Sequence, residues 1–354
     1  MQGFSSYLIA FFVTLISVMF YMPAARRIGL LDTPGERKHH DGSIPLIGGV
    51  AMFTGLLFAM LSLPVSMDRY LPFIAGVAIM MVMGVTDDLR DLSARVRFLA
   101  QVIAALLMVY WGDIVLLSLG NAFYSEVVDL GVWAIPFTVF AVVGVVNATN
   151  MTDGVDGLAG SMALVILSAF AVIAAATGLY NDLMVLLVVI ATILAFLLFN
   201  FPIPGRAQAK VFMGDGGSMF LGFVIAWYGV SLTQGEHAAI SPTTALWVIG
   251  LPILDTIAIM TRRVLRGRSP FAPDREHFHH ILQVAGFSKT MVVVIMMMLS
   301  ALLAAIGLFG ELLDVPEYIM FYGYVILLSL YFWGVMHAWK VMKLIKKVGG
   351  VIKS

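Results

Sequence analysis

Apolar residues run along this chain in long blocks, and the polar residues collect in the gaps between them. A block of about 20 apolar residues is long enough to cross a hydrocarbon core about 30 Å thick as an α-helix. Eleven such blocks predict eleven helices, over roughly 4–25, 46–64, 70–86, 98–117, 132–147, 158–177, 182–201, 218–233, 243–260, 290–309 and 318–337. The shorter blocks cross only by tilting or by borrowing flanking residues, which leaves ten spans as the alternative. The expected fold class is therefore an all-α, polytopic integral membrane protein. With no internal repeat, low-complexity tract or linker, residues 1–354 read as one membrane domain.

Composition agrees with the pattern. The chain is 61% apolar and 12% charged, with a mean hydropathy of +0.98, beyond the range of soluble globular chains. The first block has no basic start, is too long for a signal-peptide core, and carries Arg26 and Arg27 after its apolar run, so it reads as a retained span. Arginines on that side place the N-terminus in the periplasm and the first loop in the cytoplasm. Under that assignment every lysine and arginine except Arg69 falls on the cytoplasmic side, including those of the C-terminal tail. Ten spans would put one of these basic groups on the wrong side. The basic tail, 338–354, has lysines and apolar residues at helical spacing, which suits a helix on the anionic inner leaflet or a plain solubilising end. The absence of cysteine excludes disulfides, thiolate metal sites and cysteine nucleophiles.

With sides assigned, four chemistry-bearing loops share the cytoplasmic surface: TDDLRDL (86–92), NATNMTDGVDGLAG (147–160), KVFMGDGGS (210–218) and DREHFHH (274–280). If residues 87–91 continue a helix, Asp91 shares a face with Asp87 or Asp88, and such a pair wants a cation or a shared proton. The plainer alternative is a helix end whose acids are solvated or paired with Arg90 and Arg95. In the second loop, Asn147, Asn150, Asp153 and Asp156 repeat at intervals of three with almost no basic partner nearby. They line one helical face, or a partly unwound loop around Gly154 and Gly157. Carboxylates and amide oxygens are the hard ligands that Mg²⁺ or Mn²⁺ prefers, and they equally suit ribose or base; the alternative is a polar turn with N-capping acids. In the third loop, Lys210 and the glycines around Asp215 precede a helix start, where free N–H groups can face a phosphate; Ser218 as an ordinary N-cap is the simpler reading. The stretch 261–289 carries six basic residues, among them Arg262 and Arg268, together with His277, His279 and His280. Bases of that density beside acids for a hard metal point to phosphoryl chemistry.

Together the loops resemble one family, the polyprenyl-phosphate N-acetylhexosamine-1-phosphate transferases. The matching motifs are DDLRD at 87–91, NATNMTDGVDGL at 147–158, FMGDGGS at 212–218 and HFHH at 277–280, in the family's order and across essentially the whole chain. Phe278 interrupts the unbroken run of three histidines of the muramoyl-pentapeptide branch. PDREHFHH instead resembles the branch that loads N-acetylglucosamine-1-phosphate onto undecaprenyl phosphate for O-antigen or common-antigen synthesis.

The resemblance implies a bacterial inner-membrane enzyme that uses UDP-N-acetylglucosamine (UDP-GlcNAc), undecaprenyl phosphate and Mg²⁺ or Mn²⁺. It implies no nucleic-acid partner, and a homodimer as its assembly. Asp215 would be the principal metal ligand with Asn150 beside it, and Phe212 would stack on uracil. Asn150, Asp153 and Asp156 would contact the nucleotide or support the site, and Lys38 would reach the nucleotide. His277, His279, His280 and the arginines, Arg262 and Arg268 among them, would grip the diphosphate. Asp87 and Asp88 would act as base, metal ligand or both, with Asp91 completing the motif. Because a lipid phosphate is already anionic near neutral pH, direct attack on the β-phosphorus is expected in preference to a phospho-enzyme intermediate. Two other readings compete, one with the same reaction and one of another class. A different UDP-N-acetylhexosamine is the nearer one; an ion-coupled transporter, with Asp255 as its mid-span acid, is the farther one. A non-catalytic scaffold would need none of the four loops.

Overall fold

The computed structural model describes residues 3–33, 42–124, 126–203, 208–235, 238–270 and 277–337. Among these the chain forms α1 (Phe4–Ile28), α2 (Gly48–Met60), α3 (Met67–Arg90), α4 (Ala94–Tyr110), α5 (Ala134–Thr152), α6 (Leu158–Ala176) and α7 (Tyr180–Asn200). There follow α8 (Gly214–Ser231), α9 (Pro242–Val248), α10 (Gly250–Leu265), α11 (Phe278–Val284), α12 (Lys289–Leu312) and α13 (Glu317–Met336). Each predicted apolar block coincides with one of these helices, or in one case with a pair.

Seven of the described helices, α1, α3, α5, α6, α7, α12 and α13, are long and apolar enough to cross a membrane. The protein is thus an all-α polytopic membrane protein. The block expected as one straight helix over 243–260 is instead α9 and α10, bent by 80°. Gly250 and Pro252 sit at the bend, where glycine loosens the backbone and proline withholds an N–H. The hydroxyl of Tyr324 in α13 donates to the Gly250 carbonyl at 3.0 Å, supplying the partner that apolar surroundings cannot. Ser241 caps α9 by accepting from the Thr244 N–H at 3.2 Å, and Ser288 caps α12 through the Met291 N–H.

A helix that is apolar on every side needs protein around it. α8 meets that condition: all but three of its eighteen residues are buried, and it packs against α2, α3, α5 and α6. Glycines let these neighbours come close. A Cβ on Gly84 of α3 would collide with the backbone of Gly216, and one on Gly49 of α2 with that of Gly217. The periphery is the inverse, since α13 buries only Tyr324 and Val335 and α1 leaves Phe12, Ile16 and Phe20 bare, as lipid-facing helices do.

A two-residue antiparallel ribbon pairs β1 (Leu31–Asp32) with β2 (Ile44–Pro45), on either side of 34–41, the loop of the sequence reading. That loop holds Lys38, which lies outside the described residues, as do Arg275 and the tail 338–354.

Candidate active site

The start of α8 is the focus. Gly214 has φ +74°, and a Cβ there would lie 2.6 Å from an Asp88 carboxylate oxygen, so only glycine serves. The turn it makes aims the Asp215 N–H at Asp88, whose two carboxylate oxygens accept it at 3.1 Å each. This corrects one expectation: the N–H at the head of α8 is already engaged by Asp88. From α5, the Asn150 amide donates to Asp215 Oδ1 at 2.9 Å and to Ser218 Oγ at 2.8 Å. Asn150 therefore meets Asp215 as a supporting donor, and Ser218 lies inside α8 as its partner instead of capping the helix.

The preceding segment is held in strand-like fashion. The Phe212 N–H donates to Pro45 O at 2.9 Å, Gly48 N–H to Phe212 O at 3.0 Å, and Gly49 N–H to Met213 O at 2.9 Å. Asn200, at the end of α7, ties two site loops together, accepting from the Gly157 N–H and donating to Val211 O, both at 2.8 Å. Gly157 itself has φ +79°. α5 ends at Thr152, so Asp153 and Asp156 lie in an unwound turn and not on a continued helical face.

The acids then divide by partner. Asp87 is buried; it accepts from Arg97 at 2.8 Å and from the Leu92 N–H at 2.7 Å. Its cation is thus Arg97, and not Arg90 or Arg95, which the plainer alternative had named. Asp156 accepts from Lys289 Nζ at 2.9 Å, a lysine 133 positions away and the last of the six basic residues of 261–289. Asp91 departs from the expected pairing: α3 stops at Arg90, and Asp91 is an exposed, left-handed cap with φ 49°. Asn147 turns to Gln101, donating at 2.7 Å.

Asp88, Asp153 and Asp215 remain. Among the described residues none of the three has an ion-pair partner. Burial and then the nearby charges of Asp215, Asp88 and Asp156 push the Asp153 carboxyl up to about 8. Asp153 is exposed, so it stands at the open edge of the three acids, the acidic hollow of this site. Burial, then a hydrogen bond with Asp87, pushes Asp215 up to about 6, against the lowering effect of Asn150. Hard oxygen donors held together at the cost of mutual repulsion suit a cation.

The histidine segment lies against the turn that carries Asp153. A Cβ on Gly154 would lie 2.5 Å from His279 Nε2, so the imidazole faces the backbone beside Asp153. His279 is buried, with both ring nitrogens lacking a hydrogen-bond partner among the described residues. Burial, then His280, holds it down at about 3, so it is neutral at physiological pH. His280 lies against it, ring centroids 4.2 Å apart, and His277 stacks on it at 5.5 Å with planes within 10°. Arg262 is buried in the last turn of α10, Phe212 is half-buried, and Arg268 is exposed.

Several supporting residues escaped the sequence reading. Asn200 left a signal, a lone amide ending an apolar run. Arg97 left none, because nothing in the sequence singles it out from Arg90 and Arg95.

Comparison with known proteins gives the family. Residues 70–233 match the model of glycosyl transferase family 4, a stretch that contains three of the four loops. Proteins named undecaprenyl-phosphate alpha-N-acetylglucosaminyl 1-phosphate transferase are similar throughout. The one from Escherichia coli O157:H7 is 38% identical over 343 residues, 96% of this chain and 92% of its own. That from Haemophilus influenzae is 38% identical over 344 residues, 97% of each chain, and that from Yersinia pestis 37% over 340, 95% and 93%. Identity of that degree over that length shows that the chain belongs to glycosyl transferase family 4, in the family of the undecaprenyl-phosphate alpha-N-acetylglucosaminyl 1-phosphate transferases.

Proposed function

We propose that this multi-pass bacterial inner-membrane protein transfers N-acetylglucosamine-1-phosphate from UDP-GlcNAc to undecaprenyl phosphate, giving undecaprenyl-diphosphate-GlcNAc and UMP. The observation that carries the reading is the convergence of Asp88, Asp153 and Asp215, without an ion-pair partner among the described residues, beneath an imidazole that faces Gly154. The names of relatives 38% identical over nearly the whole chain supply the donor and the acceptor. We place the site on the cytoplasmic face of an eleven-span chain with its N-terminus in the periplasm, because that topology leaves Arg69 as the sole basic residue outside.

Mg²⁺ or Mn²⁺ fits the donor set of Asp215 and its neighbours. Such an ion takes one or two carboxylates and completes its shell with substrate phosphates, so Asp215 and a neighbouring acid would hold it. When bound, such an ion supplies neutralisation of the diphosphate charge.

The residues of the chain do the rest. Asn150 fixes Asp215, Asp88 fixes the head of α8, and Arg97 and Lys289 fix Asp87 and Asp156. Phe212 offers a ring to the uracil and Lys38 a cation to the nucleotide. His277, His280, Arg262 and Arg268 meet the diphosphate, and neutral His279 offers one N–H donor and one acceptor without adding charge. A lipid phosphate oxygen attacks the sugar-bearing phosphorus directly; the new P–O bond forms as the bond to the UMP oxygen breaks, and UMP leaves with the electron pair. The reaction needs no general base, since the attacking oxygen is already anionic.

The test is a panel of radiolabelled UDP-N-acetylhexosamines with undecaprenyl phosphate, Mg²⁺ and purified protein in detergent. Label from UDP-GlcNAc should pass into butanol-extractable lipid and should stop on addition of EDTA. Transfer from a different donor alone would replace the sugar in this reading, and transfer from none would overturn it.

A further inference from the structure

One buried acid has no part in the reaction just described. Asp255 lies in α10, past the 80° bend, and its carboxylate is approached from three directions. Oδ2 pairs with His277 Nδ1 at 2.7 Å. Oδ1 accepts from the backbone N–H of Phe278 at 3.1 Å and from the hydroxyl of Tyr331, on α13, at 2.7 Å. The sequence reading named Asp255 as the mid-span acid of the transporter alternative. It binds a helix partner and the histidine segment together, and as such it is no free acid on an ion path.

The same contacts explain why phenylalanine interrupts the histidines. The Phe278 ring packs edge-on against Tyr331, centroids 5.9 Å apart. Both rings line an apolar cavity of about 280 Å³ among α10, α11, α12 and α13. Phe278 therefore faces away as a nonpolar anchor, while His277 stacks on His279, and His279 faces Gly154 beside the acids.

We infer that Asp255 is a positioning residue for the transfer reaction: it seats residues 277–280 so that their imidazoles stand against the acidic hollow. The inference rests on the reading of that hollow as the phosphoryl-transfer site. Its physical basis is the number of acceptors. A carboxylate has two oxygens and lone pairs enough for three donors, whereas an asparagine in its place turns an NH₂ group, which cannot accept, toward His277 or toward the Phe278 N–H and Tyr331 hydroxyl. Asp255→Asn keeps the shape and loses part of the seat.

The experiment measures kcat and KM for UDP-GlcNAc with purified wild-type protein, Asp255→Asn, His277→Ala and the double variant, alongside thermal unfolding. Asp255→Asn should lower kcat about tenfold or more and leave KM within about threefold, because the imidazoles are asked to meet charge that develops in transfer. The double variant should lose at least about fivefold less than the product of the single losses, since the two side chains act through one contact. A merely structural role would lower the unfolding temperature and multiply in full with His277→Ala. Should Asp255→Asn fail to fold, Tyr331→Phe removes a single donor; its smaller loss in kcat should again fall short of multiplying with that of His277→Ala. An Asp255→Asn or Tyr331→Phe enzyme within twofold of wild type, or full multiplication at unchanged unfolding temperature, would overturn the inference. Inactive wild-type protein would instead strike the proposed function itself.

Discussion

Asp153 and Asp215 are acids held where their charge is costly. Each is an acid whose folded environment favours the proton, with carboxyls at about 8 and about 6 against an unfolded value near 4. Between those limits the cation-free folded state binds more protons than the unfolded chain, so stability falls as pH rises from about 4 toward 8. A divalent cation competes for the same oxygens and releases those protons. The protein should therefore melt at progressively lower temperature as pH is raised from 5.5 to 8.5 without Mg²⁺, and Mg²⁺ should raise the melting temperature more at 8.5 than at 5.5. A thermal-shift series in detergent reads both; equal Mg²⁺ stabilisation at the two pH values would contradict the account. At this scale the sequence displayed every acid of the hollow, because in so apolar a chain each cluster of acids stands out. It did not display which acids are neutralised. Asp87 and Asp156 look no different from Asp88 and Asp153 until Arg97 and Lys289 arrive from other helices.

Helices and loops hold those side chains by close approach and by shared amides. Gly84 lets α3 touch the head of α8 one turn before Asp88, so Gly84→Ala forces the two backbones apart. A cost of about 1–3 kcal/mol is expected for such overpacking, read as a lower unfolding temperature, together with loss of transfer activity as Asp88 leaves the Asp215 N–H. Asn200→Ala leaves a buried N–H of Gly157 and a buried carbonyl of Val211 unmet, for about 2–4 kcal/mol. That loss is measurable by the same melt, and an unchanged melting temperature would remove Asn200 from the framework. Apolar periodicity located the helices well, because each is a continuous run. It missed the 80° break between α9 and α10, since the run 243–260 stays apolar across the bend and only Gly250 and Pro252 hint at it. It also let a face of α3 run on to Asp91, where the helix stops at Arg90 in a left-handed cap.

Under the proposed eleven-span topology, charge sorts by side across the whole molecule. The only basic residue expected outside, Arg69, is itself paired with Asp182 at 3.1 Å, and Tyr70 donates to the same acid at 3.0 Å. The native chain has no cysteine, so single cysteines report topology cleanly. Cysteine at Asp113 should react with a membrane-impermeant maleimide in intact cells, and cysteine at Arg266 only after the membrane is opened; the reverse pattern would invert the proposed orientation. The convergence of the four loops was legible because counting Lys and Arg assigns all four to one side in the expected topology. Their contacts were not, since each joins residues separated by up to 133 positions. The central claim is that those loops build one transfer site around Asp215. Its most direct test is the rate at which label passes from UDP-GlcNAc to undecaprenyl phosphate in purified wild-type and Asp215→Asn protein of equal melting temperature. The account predicts transfer with one UMP per lipid-linked sugar in the wild type and a loss of about 10³-fold or more in the variant; an Asp215→Asn enzyme within tenfold of wild type would contradict it.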